Sequence, residues 1–256
     1  MPAWLPGVLV VCLGLAVGSF LNVCIHRLPL GLSVVRPRSR CPACGAEIRA
    51  YHNVPVLGYL VLGGRCADCG TPISLRYPIV EAVTALAFLV CYLHVGLQPL
   101  LAARLLFASA LIVLFLIDLE HQILPNRITV SGTVLGLVFS FWLEPGWRAS
   151  VLGILLGGGV LLLIAEAYRL VRRIEGLGMG DVKMLAMIGA FLGWQQVLVT
   201  LALSSFAGAA VGLALIASSR GGMRLALPFG TFLAVGAFVA SVAGPGIWSW
   251  YMSLYP

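Results

Sequence analysis

The chain has 256 residues and a formal net charge of +7, with 61% hydrophobic and only 10% charged residues. A soluble domain carries about 25% charged residues, so this composition, with a mean hydropathy of +1.04, excludes an ordinary water-soluble globule and points to a membrane. The positive charges lie in a few loops between apolar runs. That is a topology signal, and it argues against a nucleic-acid partner.

Apolar runs of roughly 20 residues cross a hydrocarbon core as helices, because backbone groups in lipid must be bonded within the segment. Eight such helices are predicted, at about 4–25, 77–97, 99–118, 128–143, 149–171, 182–196, 197–218 and 227–249. The first run, Trp4 to Ile25, has no basic region before it and no convincing small-residue cleavage site after it. It reads as a retained anchor and not as a signal peptide. The fourth and sixth helices are short for a full span. Their glycines, Gly132, Gly136, Gly189 and Gly193, predict close packing in place of lipid exposure.

The fold class expected is an all-α polytopic membrane protein of about eight transmembrane helices with a small zinc-ribbon-like loop. Three parts follow along the chain: a first helix (1–25), a water-facing loop (26–76) and an intramembrane domain (77–256). Eight crossings leave both termini on one side. If 26–76 is cytoplasmic, so are the loops near 119–127, 172–181 and 219–226. Fourteen of the 16 Lys and Arg, all but Arg104 and Arg148, then fall on the cytoplasmic side. The expected orientation therefore has the N- and C-termini outside.

The loop 26–76 is rich in Arg, Pro, Gly and Cys and shows no helical periodicity. It is too short for a hydrophobic core of its own and needs a staple. Cys41-Pro-Ala-Cys44 and Cys66-Ala-Asp-Cys69 supply one. Two C-x2-C pairs suit tetrahedral zinc, each knuckle giving two thiolates. Two disulfides are the alternative, and a cytoplasmic loop disfavours them. A site closed by four protein ligands is structural, not hydrolytic. Gly45 and Gly70 each follow the second Cys of a pair, where a knuckle turn calls for positive φ. Cys12, Cys24 and Cys91 fall in apolar helices and read as buried thiols.

Among nine acidic residues, two stand out. Asp118 ends the third helix in Leu-Ile-Asp118-Leu-Glu120-His121, and Asp181 begins the sixth in Gly178-Met-Gly180-Asp181-Val-Lys183. The predicted topology sets both at the cytoplasmic edge. An acid near hydrocarbon is costly and is a functional hypothesis by default. Two acids sharing a site do not both ionise easily, so one keeps a proton while the other acts as base. Such a dyad activates water and protonates the leaving amine of a peptide bond. Alone, either acid reads more readily as a helix cap or a water-facing interfacial group than as a catalyst; the two together, each in a distinctive local pattern, reverse that balance. Gly178 and Gly180 let the backbone bend at the helix entry and admit a peptide close to the acid. Lys183 follows on the next turn, where it acts on Asp181 or meets a lipid phosphate. Glu81, one turn into the second helix, has two readings: an Arg partner, or a contact to a cationic ligand. Glu166 is spaced to pair with Arg169.

The order of motifs resembles the bacterial prepilin peptidases, also called type 4 leader peptidases and N-methyltransferases, over almost the whole chain. The resemblance is carried by Gly18-Ser-Phe-Leu-Asn22-Val-Cys-Ile-His26-Arg27-Leu-Pro29, both Cys pairs, Arg76-Tyr-Pro-Ile-Val-Glu81, the Asp118 segment, Gly178-Met-Gly-Asp181-Val-Lys183 and Pro228-Phe-Gly230. It implies a bacterial inner-membrane enzyme that cuts the basic leader from type IV prepilins and type II secretion pseudopilins on the cytoplasmic side, after a Gly. The two aspartates of this GxGD class match Asp118 and Asp181. It also implies methylation of the new N-terminal residue, with S-adenosylmethionine as donor. The family's methylation-linked positions before the third Cys match Gly64 and Arg65, the latter often Lys in relatives. Two other functions compete. A different GxGD peptidase, cutting within a helix or processing preflagellins, has no evident need of the cysteine loop. A transporter would carry acids near the midplane and repeat symmetry, and the sequence offers neither.

Overall fold

The computed structural model describes residues 4–172, 178–218 and 227–255. The predicted loops at 172–181 and 219–226, with Glu175, lie largely or wholly outside these. Helices dominate the described residues, and pairing is confined to two isolated bridges, Arg40 with Glu47 and Arg65 with Pro72. The helices are α1 (Leu5–Arg27), α2 (Leu57–Val61), α3 (Arg76–Val95), α4 (Pro99–His121), α5 (Asn126–Phe139), α6 (Trp147–Ile154), α7 (Leu161–Arg172), α8 (Met179–Leu192), α9 (Trp194–Ala217) and α10 (Phe229–Met252). Leu155–Val160 continues α6 into α7 as a π-helical stretch, so one apolar segment, Trp147–Val171, is counted as a single span.

All eight predicted helices have a counterpart. Six are long and apolar enough to cross a membrane: Leu5–Arg27, Arg76–Val95, Pro99–His121, Trp147–Val171, Trp194–Ala217 and Phe229–Met252. The other two, α5 and α8, are the short pair, at 14 residues each. The boundaries differ in two informative places. The sixth and seventh helices break at Gly193, whose φ of +81° ends α8 and opens α9, and not at residue 197. The third helix runs on to His121, which sets Asp118 in its last turn and not at its end.

The chain divides into two compact units, Met1–Leu101 and Ala102–Pro256. In the first, α1 lies along α3. A side chain at Gly14 would collide with the Ala85 backbone, and one at Gly18 would lie 2.7 Å from the Glu81 Cα. Lipid tails are as apolar as leucine, so membrane helices associate through such close packing and not through a hydrophobic drive. The loop of this unit is not wholly irregular as expected. It contains a 3-10 turn at Ala50–Asn53 and the short helix α2. Of the three helix cysteines, Cys24 and Cys91 are buried, but Cys12 is exposed, because its face of α1 turns away from α3.

In the second unit α8 is the centre. Met184, Leu185, Met187, Ile188 and Ala190 are fully buried. A helix walled in by protein does not have to match the hydrocarbon thickness, which accounts for its short length. Its neighbours reach it over glycines, as predicted. A Cβ at Gly132 would meet Met187, one at Gly136 would lie 2.8 Å from the Phe191 ring, and Gly153 and Gly189 touch backbone to backbone. Phe107 of α4 stacks on Phe191 with ring centroids 4.9 Å apart. The Ser150 hydroxyl donates to the Ala190 carbonyl at 2.7 Å. Large apolar side chains such as Leu163, Phe206 and Leu213 point outward, an arrangement that lipid covers and water would not.

Candidate active site

Asp118 and Asp181 come from elements that converge in the second unit. Asp118 is buried, 5% exposed, in the last turn of α4. Its Oδ2 accepts a hydrogen bond of 2.8 Å from Thr231 N–H, and Gly230 N–H also points at this carboxylate. These donors belong to the first turn of α10, where backbone N–H groups have no partner within the helix. Asp118 therefore caps a helix 113 residues away in sequence, and its negative charge faces the positive end of that helix. Pro228, the N-cap residue, is extended at φ −69° and ψ 101° and turns the chain into this position.

Asp181 sits in the first turn of α8 and is partly buried. The two carboxyl groups lie close enough to interact electrostatically. Leu124 lies between the start of α8 and the start of α10. A Cβ at Gly180 would come 3.0 Å from Leu124 Cβ, and one at Gly230 would come 3.1 Å from Leu124 Cδ1. The glycines before Asp181 thus serve close approach. Gly178 has φ −65° and ψ 124°, ordinary extended backbone, so the bend expected of it needs no glycine. A Cβ there would lie 3.2 Å from Asp181 Oδ2. Lys183 does not turn to the acid. Its Nζ donates to Asn126 Oδ1 at 2.9 Å and ties α8 to the start of α5.

Gly230 is the site residue that periodicity alone does not reveal. A Cβ there would lie 2.8 Å from Asp118 Oδ2, closer than a carbon and a carboxylate oxygen tolerate. Gly230→Ala must push the carboxylate off the α10 amides. The expected result is a loss of about tenfold or more in turnover, since such misplacement is costly, with membrane insertion retained. Near-normal turnover in the purified variant would mean that the acid does not depend on this seat.

The first unit gathers the other sequence-predicted residues. The Sγ atoms of Cys41, Cys44, Cys66 and Cys69 all lie within 4.8 Å of one another. All four are free thiols. Cys41 and Cys69 are 3.8 Å apart, the edge of a sulfur tetrahedron with zinc–sulfur bonds of about 2.3 Å. Two matching turns build the cluster. Gly45 N–H bonds to Cys41 O and Gly70 N–H to Cys66 O, both at 2.9 Å, and both glycines have the expected positive φ, +74° and +72°. The thiols titrate unevenly. The Thr71 hydroxyl and N–H draw Cys69 down to about 6. Ala46 N–H pulls Cys44 down as well, but the neighbouring thiols and burial outweigh it and push Cys44 up to about 12. Four thiolates at this spacing repel one another, and a dication removes the conflict.

Gly64 is buried with φ +69°, and a Cβ there would lie 2.8 Å from the Tyr59 hydroxyl, while Arg65 is exposed at the bridge to Pro72. Glu81 is buried, and its Oε2 accepts a 2.7 Å hydrogen bond from Val56 N–H, a backbone partner that neither sequence reading anticipated. Glu166 pairs with Arg169 at 2.6 Å as expected.

Comparison with known proteins is consistent along the chain. The family model described as Bacterial Peptidase A24 N-terminal domain matches residues 12–95, and the one described as Type IV leader peptidase family matches residues 105–213. The chain is 44% identical over 214 residues to the "Prepilin leader peptidase/N-methyltransferase" of Myxococcus xanthus, covering 83% of this chain and 64% of that relative. It is 37% identical over 266 residues to the protein of the same name from Pseudomonas aeruginosa, covering 94% of this chain and 92% of the relative. A Pseudomonas putida relative, again of that name, is 39% identical over 271 residues, with 96% and 93% covered. No solved structure matches the chain. With near full-length relatives at this identity and both family models matched in order, the chain belongs to the type IV leader peptidase family.

Proposed function

We propose that this chain is a bifunctional enzyme of the bacterial inner membrane. It removes the leader of type IV prepilins and type II secretion pseudopilins and then N-methylates the new N-terminal residue. The observation that carries the first activity is the seat of Asp118 on the free amides of α10, with Asp181 in electrostatic reach. Amides pointing at Asp118 are complementary to negative charge, so Asp118 is the base and Asp181 carries the shared proton. Asp118 takes a proton from water as its oxygen attacks the scissile carbonyl. Asp181 gives its proton to the leaving nitrogen as the carbon–nitrogen bond breaks. No covalent intermediate forms on the protein.

The second activity belongs to Gly64, Arg65 and Glu81 in the first unit. S-adenosylmethionine, when bound, supplies an electrophilic methyl group. The chain's part is to hold a deprotonated amine in line with it, a matter of orientation. The donor set and spacing of Cys41, Cys44, Cys66 and Cys69 fit a structural zinc. The distribution of Lys and Arg supports a cytoplasmic cysteine loop and termini outside.

Mass spectrometry of a co-expressed type IV prepilin tests both activities in one spectrum. The expected product lacks its leader and carries one added methyl. An uncut prepilin in cells holding the wild-type enzyme would overturn the proposal. Arg65→Ala is expected to lower the methylated fraction by about tenfold while cleavage falls less; equal loss would undo the separation of the two activities.

A further inference from the structure

Two buried acceptors in the first unit lie on facing turns of α1 and α3. α1 and α3 run antiparallel, with Gly14 against Ala85, Gly18 against Glu81 and Asn22 against Tyr77. Side chains on a helix lean toward its N-terminus. Asn22 therefore leans back toward the level of Gly18 and Glu81, and Glu81 leans toward the level of Tyr77 and Asn22. Asn22 is 4% exposed and Glu81 is 7% exposed.

The orientation of the Asn22 amide is fixed by its bonds. Nδ2 donates to Gly18 O at 3.3 Å and to Tyr77 O at 3.1 Å. A flipped amide would set its oxygen against two carbonyl oxygens. Oδ1 is consequently the acceptor that faces inward, and it has no hydrogen-bond partner among the described residues. A buried acceptor left this way is costly. The Glu81 carboxylate offers about four acceptor positions, and Val56 N–H takes one of them. That N–H comes from a strained segment. Val56 has φ +60° and ψ −50°, and Leu57 N–H closes on Pro55 O at 2.6 Å. This is a γ-turn with positive φ, rare for any residue and worse for a β-branched one. The strained turn holds one donor on Glu81 Oε2.

We propose that Asn22 and Glu81 form a binding site for a primary ammonium group. The ligand must bring an N–H donor to Asn22 Oδ1 and positive charge to Glu81. An ammonium has three N–H donors and does both, whereas a sulfonium has none and leaves Asn22 unsatisfied. Two sources carry this chemistry: the N-terminus exposed by leader removal, and the α-ammonium of the methyl donor. The link to methyl transfer rests on the function proposed above; the ammonium site itself rests on the first unit alone.

The test is a binding measurement on the purified full-length protein in detergent. One arm compares a short peptide bearing a free N-terminus with its N-acetyl twin. The other compares S-adenosylmethionine with its deaminated analogue. At least one ammonium form is expected to bind about tenfold or more tightly than its neutral twin, as a charge-assisted bond to a buried group should. The arm showing the preference identifies the source. Glu81→Gln keeps an acceptor for Val56 N–H and is expected to bring the ratio to about one. Asn22→Leu is expected to reduce it too. Zinc content and thermal unfolding report whether each variant is folded, and Glu81→Gln decides should Asn22→Leu fail to fold. No preference in either wild-type arm, or an unchanged preference in folded Glu81→Gln, overturns the site. Because binding is read without turnover, a failure here differs from a wild-type enzyme that does not methylate.

Discussion

Asp118→Asn and Asp181→Asn, each alone, are expected to lower leader cleavage at least about a hundredfold, the usual scale of a lost general acid or base. Asparagine is nearly isosteric with aspartate. At position 118 the amide oxygen still accepts from Thr231 N–H, so the seat at 2.8 Å on α10 survives. What disappears is the charge and the capacity to take a proton. At position 181 the loss is of the proton to be given, and Lys183, turned to Asn126, does not replace it. Cleavage of a synthetic prepilin by equal amounts of purified wild type and variant, with zinc content as a control for folding, measures the effect. A normal rate from either single variant would dissolve the dyad. For the proposed dyad the double variant should be little worse than the worse single one; strict additivity would mean that they work independently.

Much of the fold was legible because membranes restrict the choices. Eight apolar runs predicted eight helices, and all eight have counterparts among the described residues. The glycines of α5 and α8 announced their packing because only small residues let backbones touch in lipid. Periodicity could not find the π-helical stretch at Leu155–Val160, since those residues are as apolar as the turns on either side. The extension of α4 to His121 was hidden for a different reason. Asp118, Glu120 and His121 end the hydrophobic run but not the helix, because backbone bonding continues where apolar patterning stops.

The candidate site divides along the same line. Asp118 and Asp181 were visible as charges where charge is costly. Their anchor was not, because it lies 113 residues from Asp118 in the amides of α10, and an amide leaves no trace in a side-chain pattern. Pro228-Phe-Gly230 stands in the sequence as a motif without a reason, and the structure supplies it: the proline opens a helix and the glycine leaves room for a carboxylate. Lys183 and Glu81 were visible as charges whose partners the sequence does not encode. One meets a side chain at the start of α5, and the other meets a backbone N–H from a strained turn.

Cys66→Ser is expected to reduce bound zinc from about one per chain to nearly none and to impair methylation far more than leader cleavage. The reason is the division of the chain. Both acids belong to Ala102–Pro256, whereas the four thiols, Gly64, Arg65 and Glu81 belong to Met1–Leu101. Cys66 begins the second knuckle, its N–H bonded to Thr71 O and its O accepting from Gly70 N–H, both at 2.9 Å. Gly64, two residues earlier, bonds through its carbonyl to Ile73 N–H at 2.7 Å, so losing the metal loosens the strand of backbone that carries Gly64 and Arg65. Structural zinc in small domains is worth about 10 kcal/mol or more of folding free energy, which the loop's few buried side chains do not replace. Metal analysis of the purified variant, limited proteolysis across 36–75, and the two activities on one prepilin measure the three consequences. Zinc must compete with protons for thiolates, so wild-type metal content should also fall as the pH is lowered. A wild-type protein that retains its thiols as disulfides and carries no metal would reject the site. A zinc-free variant that methylates normally would detach the metal from the second activity.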